Sequence, residues 1–379
     1  MRLRGGNLPS VASSAFVRVA VLVALASLAA ASHEPLESVQ FAKTVIDKRF
    51  LAEGVAVEDI NRDGKSDIIA GNVWFQAPDW KAHEIAPFKE IDPKRGYSDC
   101  FHNWAADLNG DGWTDQIVIG MPGEKAIWRE NPGLARTPWK EHLIWHSAGN
   151  ESPMYVDLFN NGKRVLVMGT DDEYLAWFEP DRDPTKPWIC HRISGPKGAG
   201  SQRYSHGLGV GDLDRDGKNE VLTTRGYYVR PTDPQQPWTF VAVDFGPDCA
   251  HMVVLEGGIL TTSAHARGVW AFGAGDFKRN VIDETLSQTH AAVLVSLGGV
   301  PNLITGKRKW AHPPGVDVGS EEASWLVRYE QRGSNWVRHV IDEDSGVGTQ
   351  FVVQDVDADG KMDIVTSNKN GVFLFKQKP

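Results

Sequence analysis

One nine-residue pattern occurs four times in this chain. The copies are Asp59-Ile-Asn-Arg-Asp-Gly-Lys-Ser-Asp67, Asp107-Leu-Asn-Gly-Asp-Gly-Trp-Thr-Asp115, Asp212-Leu-Asp-Arg-Asp-Gly-Lys-Asn-Glu220 and Asp355-Val-Asp-Ala-Asp-Gly-Lys-Met-Asp363. Each sets carboxylate or amide oxygens at positions 1, 3, 5 and 9, with Gly at position 6 for a sharp turn. The sets are Asp59, Asn61, Asp63 and Asp67; Asp107, Asn109, Asp111 and Asp115; Asp212, Asp214, Asp216 and Glu220; and Asp355, Asp357, Asp359 and Asp363. That is oxygen spacing for a hard cation, and up to four structural Ca²⁺ ions are expected. No Glu stands at the twelfth position and apolar strand-like runs flank the loops, so they are not helix-loop-helix sensors.

The pattern is one part of a larger repeat. Asp157 begins a degenerate copy with Phe159 and Val165 at ligand positions, which is expected to bind nothing. Two further units, 251–262 and 291–306, keep a strand, a Gly turn and a second strand without the acids. Seven starts at roughly 50-residue spacing lie in the propeller range. A second signal repeats beside the first. Alternating strands at 80–85, 139–144, 188–193, 238–243, 277–282 and 336–341 end six of the units, and the seventh such strand, Phe41–Ile46, precedes the first loop. The N-terminal strand should therefore complete the blade that Asp355 begins, pairing edges that would otherwise stay open. The expected fold is all-β: a seven-bladed β-propeller closed by the N-terminal strand, spanning 32–379.

Residues 1–31 read as a signal peptide. Arg2, Arg4 and Arg18 lead an apolar run, 19–31, that ends in three Ala. Thirteen residues are too few to span a bilayer, so export to the periplasm or the extracellular space is expected, with no membrane span after cleavage. The formal net charge is −9, and removing those three Arg leaves −12, which argues against a nucleic-acid partner. Three widely spaced Cys are no disulfide framework, although one pair remains free to bridge after export. Oligomeric state is not legible.

The Asp-x-[Asp/Asn]-x-Asp-Gly-x-x-Asp units followed by apolar strands resemble the FG-GAP/VCBS repeats of integrin-type propellers and of exported bacterial proteins. The stretches 94–99, 150–153, 204–207, 305–312 and 344–350 further resemble exported VCBS propellers akin to the catalytic propeller of aldos-2-ulose dehydratase. That resemblance implies a sugar-processing dehydratase or lyase.

Histidine carries a separate signal at the other end of the first strands. His102 stands five residues before Asp107 and His206 six before Asp212, while His251 and His290 hold comparable places in the acid-free units. In a propeller the first strand of every blade lines the axis, so these starts converge on one mouth of the channel. Glu151 is the corresponding residue of the third unit, and His265 and His312 are expected to approach from neighbouring loops. A lone imidazole there has a plain explanation in a hydrogen bond to the next blade; four at an equivalent place ask for more. Imidazoles ligate divalent metals such as Zn²⁺ and serve as general acids and bases. Glu151, His251, His265 and His290 are the candidate ligands of a second divalent ion, Zn²⁺ or Mg²⁺. Tyr204, His206, Arg203 and His102 are the catalytic candidates. Tyr97, Asp99, Trp104, Arg308, Trp310 and His312 are expected to bind substrate, and His83, His142, His191 and His339 of the outer strands read as surface. No Gly-x-Ser-x-Gly elbow, His-Glu-x-x-His or phosphate loop occurs. The expected activity is β-elimination on a carbohydrate or keto-sugar. The alternative is a propeller that binds a glycan or protein without catalysis, stacking sugar rings on Trp104 or Trp310.

Overall fold

The computed structural model describes residues 39–379 apart from positions 136 and 172. The proposed signal peptide lies outside the described residues. Among those residues there is no helix, and twenty-eight strands form seven four-stranded antiparallel sheets arranged as a propeller. The inner strands of blades one to seven are Ala56–Glu58, His102–Ala106, Met154–Val156, Gly209–Gly211, Cys249–Leu255, Ala292–Leu297 and Phe351–Gln354.

Closure follows the repeat. The strand Phe41–Asp47 pairs with Gly371–Gln377 and forms the outer edge of blade seven, with Phe41 opposite Gln377 and Asp47 opposite Val372. Phe373, Leu374 and Phe375 of that partner are buried in one apolar cluster with Val55, Ile68, Ile304 and Leu326, so the last blade shares a core with the first and the sixth. Phe41 and Ile46 pack against the same cluster. The edge is thereby paired and its apolar side covered.

The Asp loops are alike in detail. Position 6 is Gly64, Gly112, Gly217 and Gly360 with φ of 82°, 84°, 83° and 85°, and a Cβ at any of them would meet nothing beyond, in Gly112, the flexible Arg62 side chain. Backbone conformation, and not lack of room, demands glycine there. The first Asp accepts the position-6 N–H, as in Asp59 Oδ2 from Gly64 and Asp355 Oδ2 from Gly360, both at 2.8 Å. Blade three makes the same turn with only the first acid in place, since Gly162 N donates to Asp157 at 2.7 Å. The turn therefore forms independently of a full ligand set.

The ninth position faces inward. Asp67, Asp115, Glu220 and Asp363 are all buried. Asp67 accepts from Ile60 N and Ala77 N, and Asp115 from Leu108 N and Asn131 N, so each carboxylate pins its loop to the blade.

The outer-strand histidines are not the free surface groups expected. Trp74, Trp128 and Trp177 of the third strands sit directly across from His83, His142 and His191, and the rings stack at 4.3, 4.2 and 3.8 Å. His142 is buried and also meets Glu130 at 2.8 Å, while His191 meets Glu179 at 2.9 Å. A cross-strand neighbour supplies a flat apolar partner that alternation alone does not reveal. His339 lies 3.1 Å from Glu330. The three Cys are free thiols, two of them buried.

Candidate metal and acid–base site at the channel mouth

Topology separates two faces. The Asp loops join first to second strands, so they lie on one face of the ring. The connections into the inner strands, and the turns between second and third strands, lie on the other. Glu53, His102, Glu151, His206 and His290 precede or begin inner strands of blades one, two, three, four and six. His265 lies in the turn between Gly258–Ser263 and Arg267–Gly273 of blade five. Lys307, Arg308, Trp310, His312 and Asp317 belong to the long turn between Val300–Gly306 and Leu326–Arg332 of blade six, and Lys369 to the matching turn of blade seven.

Three imidazoles meet there. His206 Nε2 lies 3.1 Å from His265 Nε2, and ligand nitrogens of His206, His265 and His290 all fall within 4.8 Å of one another. Two nitrogens on a tetrahedral ion at ~2.0–2.1 Å stand about 3.3 Å apart, so this spacing fits a shared Zn²⁺-like ion. Burial pushes His206 and His265 down to about 4 and holds His290 well below its usual value, so at neutral pH all three are neutral, the form that ligates. Both ring nitrogens of His290, and Nδ1 of His265, are buried without a hydrogen-bond partner. Leaving a buried polar atom unpaired costs ~1–3 kcal/mol, so the cluster is suited to receive something. His265 Nδ1 lies 3.9 Å from Asp317 Oδ1, and Asp317 also accepts from or pairs with His312 Nδ1 at 2.9 Å. Asp317 thus hydrogen-bonds His312 and lies near His265 without bonding it.

Glu151 Oε2 stands 3.9 Å from His206 Nε2. Burial raises its pKa against the opposing pull of Arg308, His265 and His312. Its loop is zipped to the one carrying Tyr204 and His206, through Glu151 N to Ser205 O at 2.9 Å and Tyr204 N to Gly149 O at 2.8 Å. Tyr204 itself is 52% exposed with φ 60°, and no hydrogen bond joins its hydroxyl to His206 among the described residues. Arg203 turns to Asp171, which it grips with two guanidinium nitrogens at the surface. Asp99 is exposed.

Deeper in, His102 is fully buried with both nitrogens unpartnered, stacked near Trp104 at 5.7 Å. His251 sits within its inner strand, at a register shift between Cys249 and Met252, rather than ahead of it. It lines an axial cavity of about 400 Å³ together with Trp104, Tyr155, Val210, Val293 and Phe351. Trp104 therefore faces the channel and not the mouth. Trp310 is flanked by Lys309 at 4.3 Å and Lys94 at 5.8 Å, so cations already occupy its surroundings. Tyr97 donates to Ala311 O at 3.0 Å and stands beside Arg308 and Lys369.

Sequence reasoning did not find Glu53, Asp317 or Lys369. Glu53 was legible in principle, since it stands six residues before Asp59 as His206 does before Asp212. Asp317 and Lys369 lie in turns without periodicity, and only the fold brings them in.

The Asp loops also fit a cation. The loops of blades four and seven each gather three carboxylates within 4.8 Å, Asp212, Asp214 and Glu220 in one and Asp355, Asp357 and Asp359 in the other. The remaining two carry Asn61 and Asn109 at position 3. Asp212 Oδ1 and Glu220 Oε1 are buried acceptors with no donor. Burial, then repulsion from neighbouring loop acids, pushes Asp67 up to about 6 and Asp115 and Glu220 to about 7. A divalent ion would relieve both.

No family model matches the chain, and no curated protein matches it. Solved structures do share its fold. A crystal structure of BBS1N in complex with ARL6DN aligns over 90% of this chain and 97% of that one at 11% identity, with a TM-score of 0.52. The virginiamycin B lyase of Staphylococcus aureus aligns over 89% and 99% at 10% identity, with a TM-score of 0.51. Likeness at such identity is likeness of fold.

Proposed function

We propose that this is an exported carbohydrate-processing lyase of the FG-GAP/VCBS propeller kind, with structural Ca²⁺ in its Asp loops and a divalent metal at the channel mouth. The carrying observation is the meeting of His206, His265 and His290, neutral and partly unpartnered, from three consecutive blades. These three would hold the ion, which supplies positive charge to the oxygen of an enolate.

The chain's own groups supply the rest. Glu151, with its raised pKa, takes the proton next to the substrate's carbonyl or carboxylate. The electron pair of that C–H bond moves into the enolate, and its return expels the oxygen on the neighbouring carbon. The C–O bond breaks, a C=C bond forms, and no oxidant is consumed. The leaving oxygen receives a proton from the solvent side, where Tyr204 is the nearest acid in the sequence of that loop. Asp317, 3.9 Å from His265 Nδ1, would place negative charge beside the cluster.

The test is a screen of exported-type polysaccharides and keto-sugars for new ultraviolet absorbance of a conjugated double bond. Glu151→Gln should lower kcat at least 100-fold with little change in folding. Full turnover by Glu151→Gln on a substrate the native protein cleaves would overturn the assignment.

A further inference from the structure

Arg308 has no part in the chemistry above, yet it is among the most buried charges of the chain. Its side chain is 2% accessible, and its Nε and Nη2 are buried with no hydrogen-bond partner. These two nitrogens form the side-on edge of the guanidinium, which matches the two oxygens of a carboxylate. Glu53 Oε1 lies 2.7 Å from Nη2, so charge is offset through one close contact, while Nε and the second Glu53 oxygen have no partner. A buried donor and a buried acceptor left over from one ion pair are a costly arrangement for folding alone.

The surroundings add a second cation. Lys369 is buried, donates to Trp310 O at 2.9 Å, and stands 4.4 Å over the ring of Tyr97, which Arg308 also approaches at 5.9 Å. Burial pushes Lys369 down to about 8, with Arg308 adding to the effect. Arg308 N donates to Gln288 O at 2.9 Å, two positions before His290. It therefore adjoins the metal-and-base cluster on the side of blades one, six and seven.

We propose that the mouth selects a carboxylate-bearing sugar, a uronate, and that the Nε–Nη2 edge of Arg308 receives the carboxylate with Lys369 beside it. This deepens the lyase reading and rests on it for the site, though not for the reaction. A uronate carries its own acidifying group next to the carbon that loses the proton. Holding that carboxylate at Arg308 sets the adjoining C–H toward Glu151.

The experiment compares acids with their neutral twins. Short oligosaccharides of galacturonate, glucuronate and mannuronate, and the same three after carboxyl reduction, are titrated into the full chain by calorimetry. The series is repeated with phenanthroline and excess Ca²⁺, which strips a transition metal while keeping the Asp loops loaded. At least one acid should bind tenfold or more tightly than its reduced twin, with and without phenanthroline. Arg308→Gln should abolish that preference. Because Arg308→Gln leaves Glu53 unpaired and is at risk of misfolding, Glu53→Gln is measured beside it and should keep or strengthen the preference. No preference in any of the three pairs would overturn the inference. So would a preference that disappears with phenanthroline, since the metal rather than Arg308 would then hold the carboxylate. A preference that persists while no acid yields an unsaturated product supports this inference and sinks the lyase reading.

Discussion

His206 and His265 stand nitrogen to nitrogen, Nε2 to Nε2 at 3.1 Å, although 59 positions separate them and they belong to adjacent blades. Only the convergence of inner-strand starts and neighbouring turns on one mouth can bring them there. With both rings neutral, one N–H can point at the other nitrogen, or both lone pairs can point at one ion. The first accounts for two nitrogens and leaves His290 unexplained; the second uses all three residues.

The neutral histidines set an acid limit. In the folded, metal-free protein burial first pushes His206, His251 and His265 down to about 4 and holds His102 and His290 well below their usual value. Unfolded, each titrates near ~6.5. Below that the unfolded chain binds more protons, so stability is fully present above about 6.5 and is lost as pH falls toward about 4. Thermal unfolding of the metal-free protein should show Tm dropping steeply across this window. His206→Asn should flatten the drop, and an unchanged slope would contradict the burial of a neutral imidazole there.

The Asp loops predict the opposite slope. Asp67, Asp115 and Glu220 are raised, so without a cation the folded state holds protons that the unfolded state has released, and stability falls as pH rises from about 4 through about 7. Ca²⁺ must displace those protons, so its stabilisation should grow with pH over the same range. At a hundredfold excess over Kd one site gives about 2.7 kcal/mol. Asp212→Ala with Glu220→Ala should remove one such contribution, whereas Asp157→Ala in blade three should leave the Ca²⁺ response unaltered. Differential scanning calorimetry with and without Ca²⁺ reads both.

Ring closure predicts a third result. Removing residues through Asp47 strips the outer strand from Gly371–Gln377 and bares an edge above a shared core. That truncated chain should self-associate by light scattering and lose cooperative unfolding. Lys43→Ala is the mild counterpart. Lys43 reaches Asp342 at 2.9 Å and also Asp344, holding the strand to the end of blade six. A partly exposed pair of this kind is worth ~0.2–1 kcal/mol. Asp342 is held down to about 2: burial opposes this, and the Lys43 and Ser345 bonds outweigh it. Its contribution is therefore present above about 4 and lost as pH falls through about 2.

The blade count and the closing strand were legible because both depend on period, and the four Asp loops and seven outer strands repeat it separately. The mouth histidines were legible for the same reason, since position before an inner strand is itself a repeat property. What failed depended on cross-strand neighbours and long turns. His142 looks exposed by alternation, yet Trp128 lies opposite and covers it. Tyr204 and His206 are both catalytic candidates by sequence, two positions apart, but the Tyr204 side chain is exposed while His206 joins the cluster. Asp317 and Lys369 reach the mouth from turns whose lengths carry no pattern.

The most direct test is anomalous scattering from crystals of the protein grown with Ca²⁺ and Zn²⁺, recorded on both sides of the zinc edge. A zinc peak should lie ~2.0–2.1 Å from nitrogens of His206, His265 and His290, with calcium confined to the Asp loops on the opposite face. Zinc absent from the mouth, with density only in the Asp loops, would contradict a metal centre there and with it the proposed chemistry.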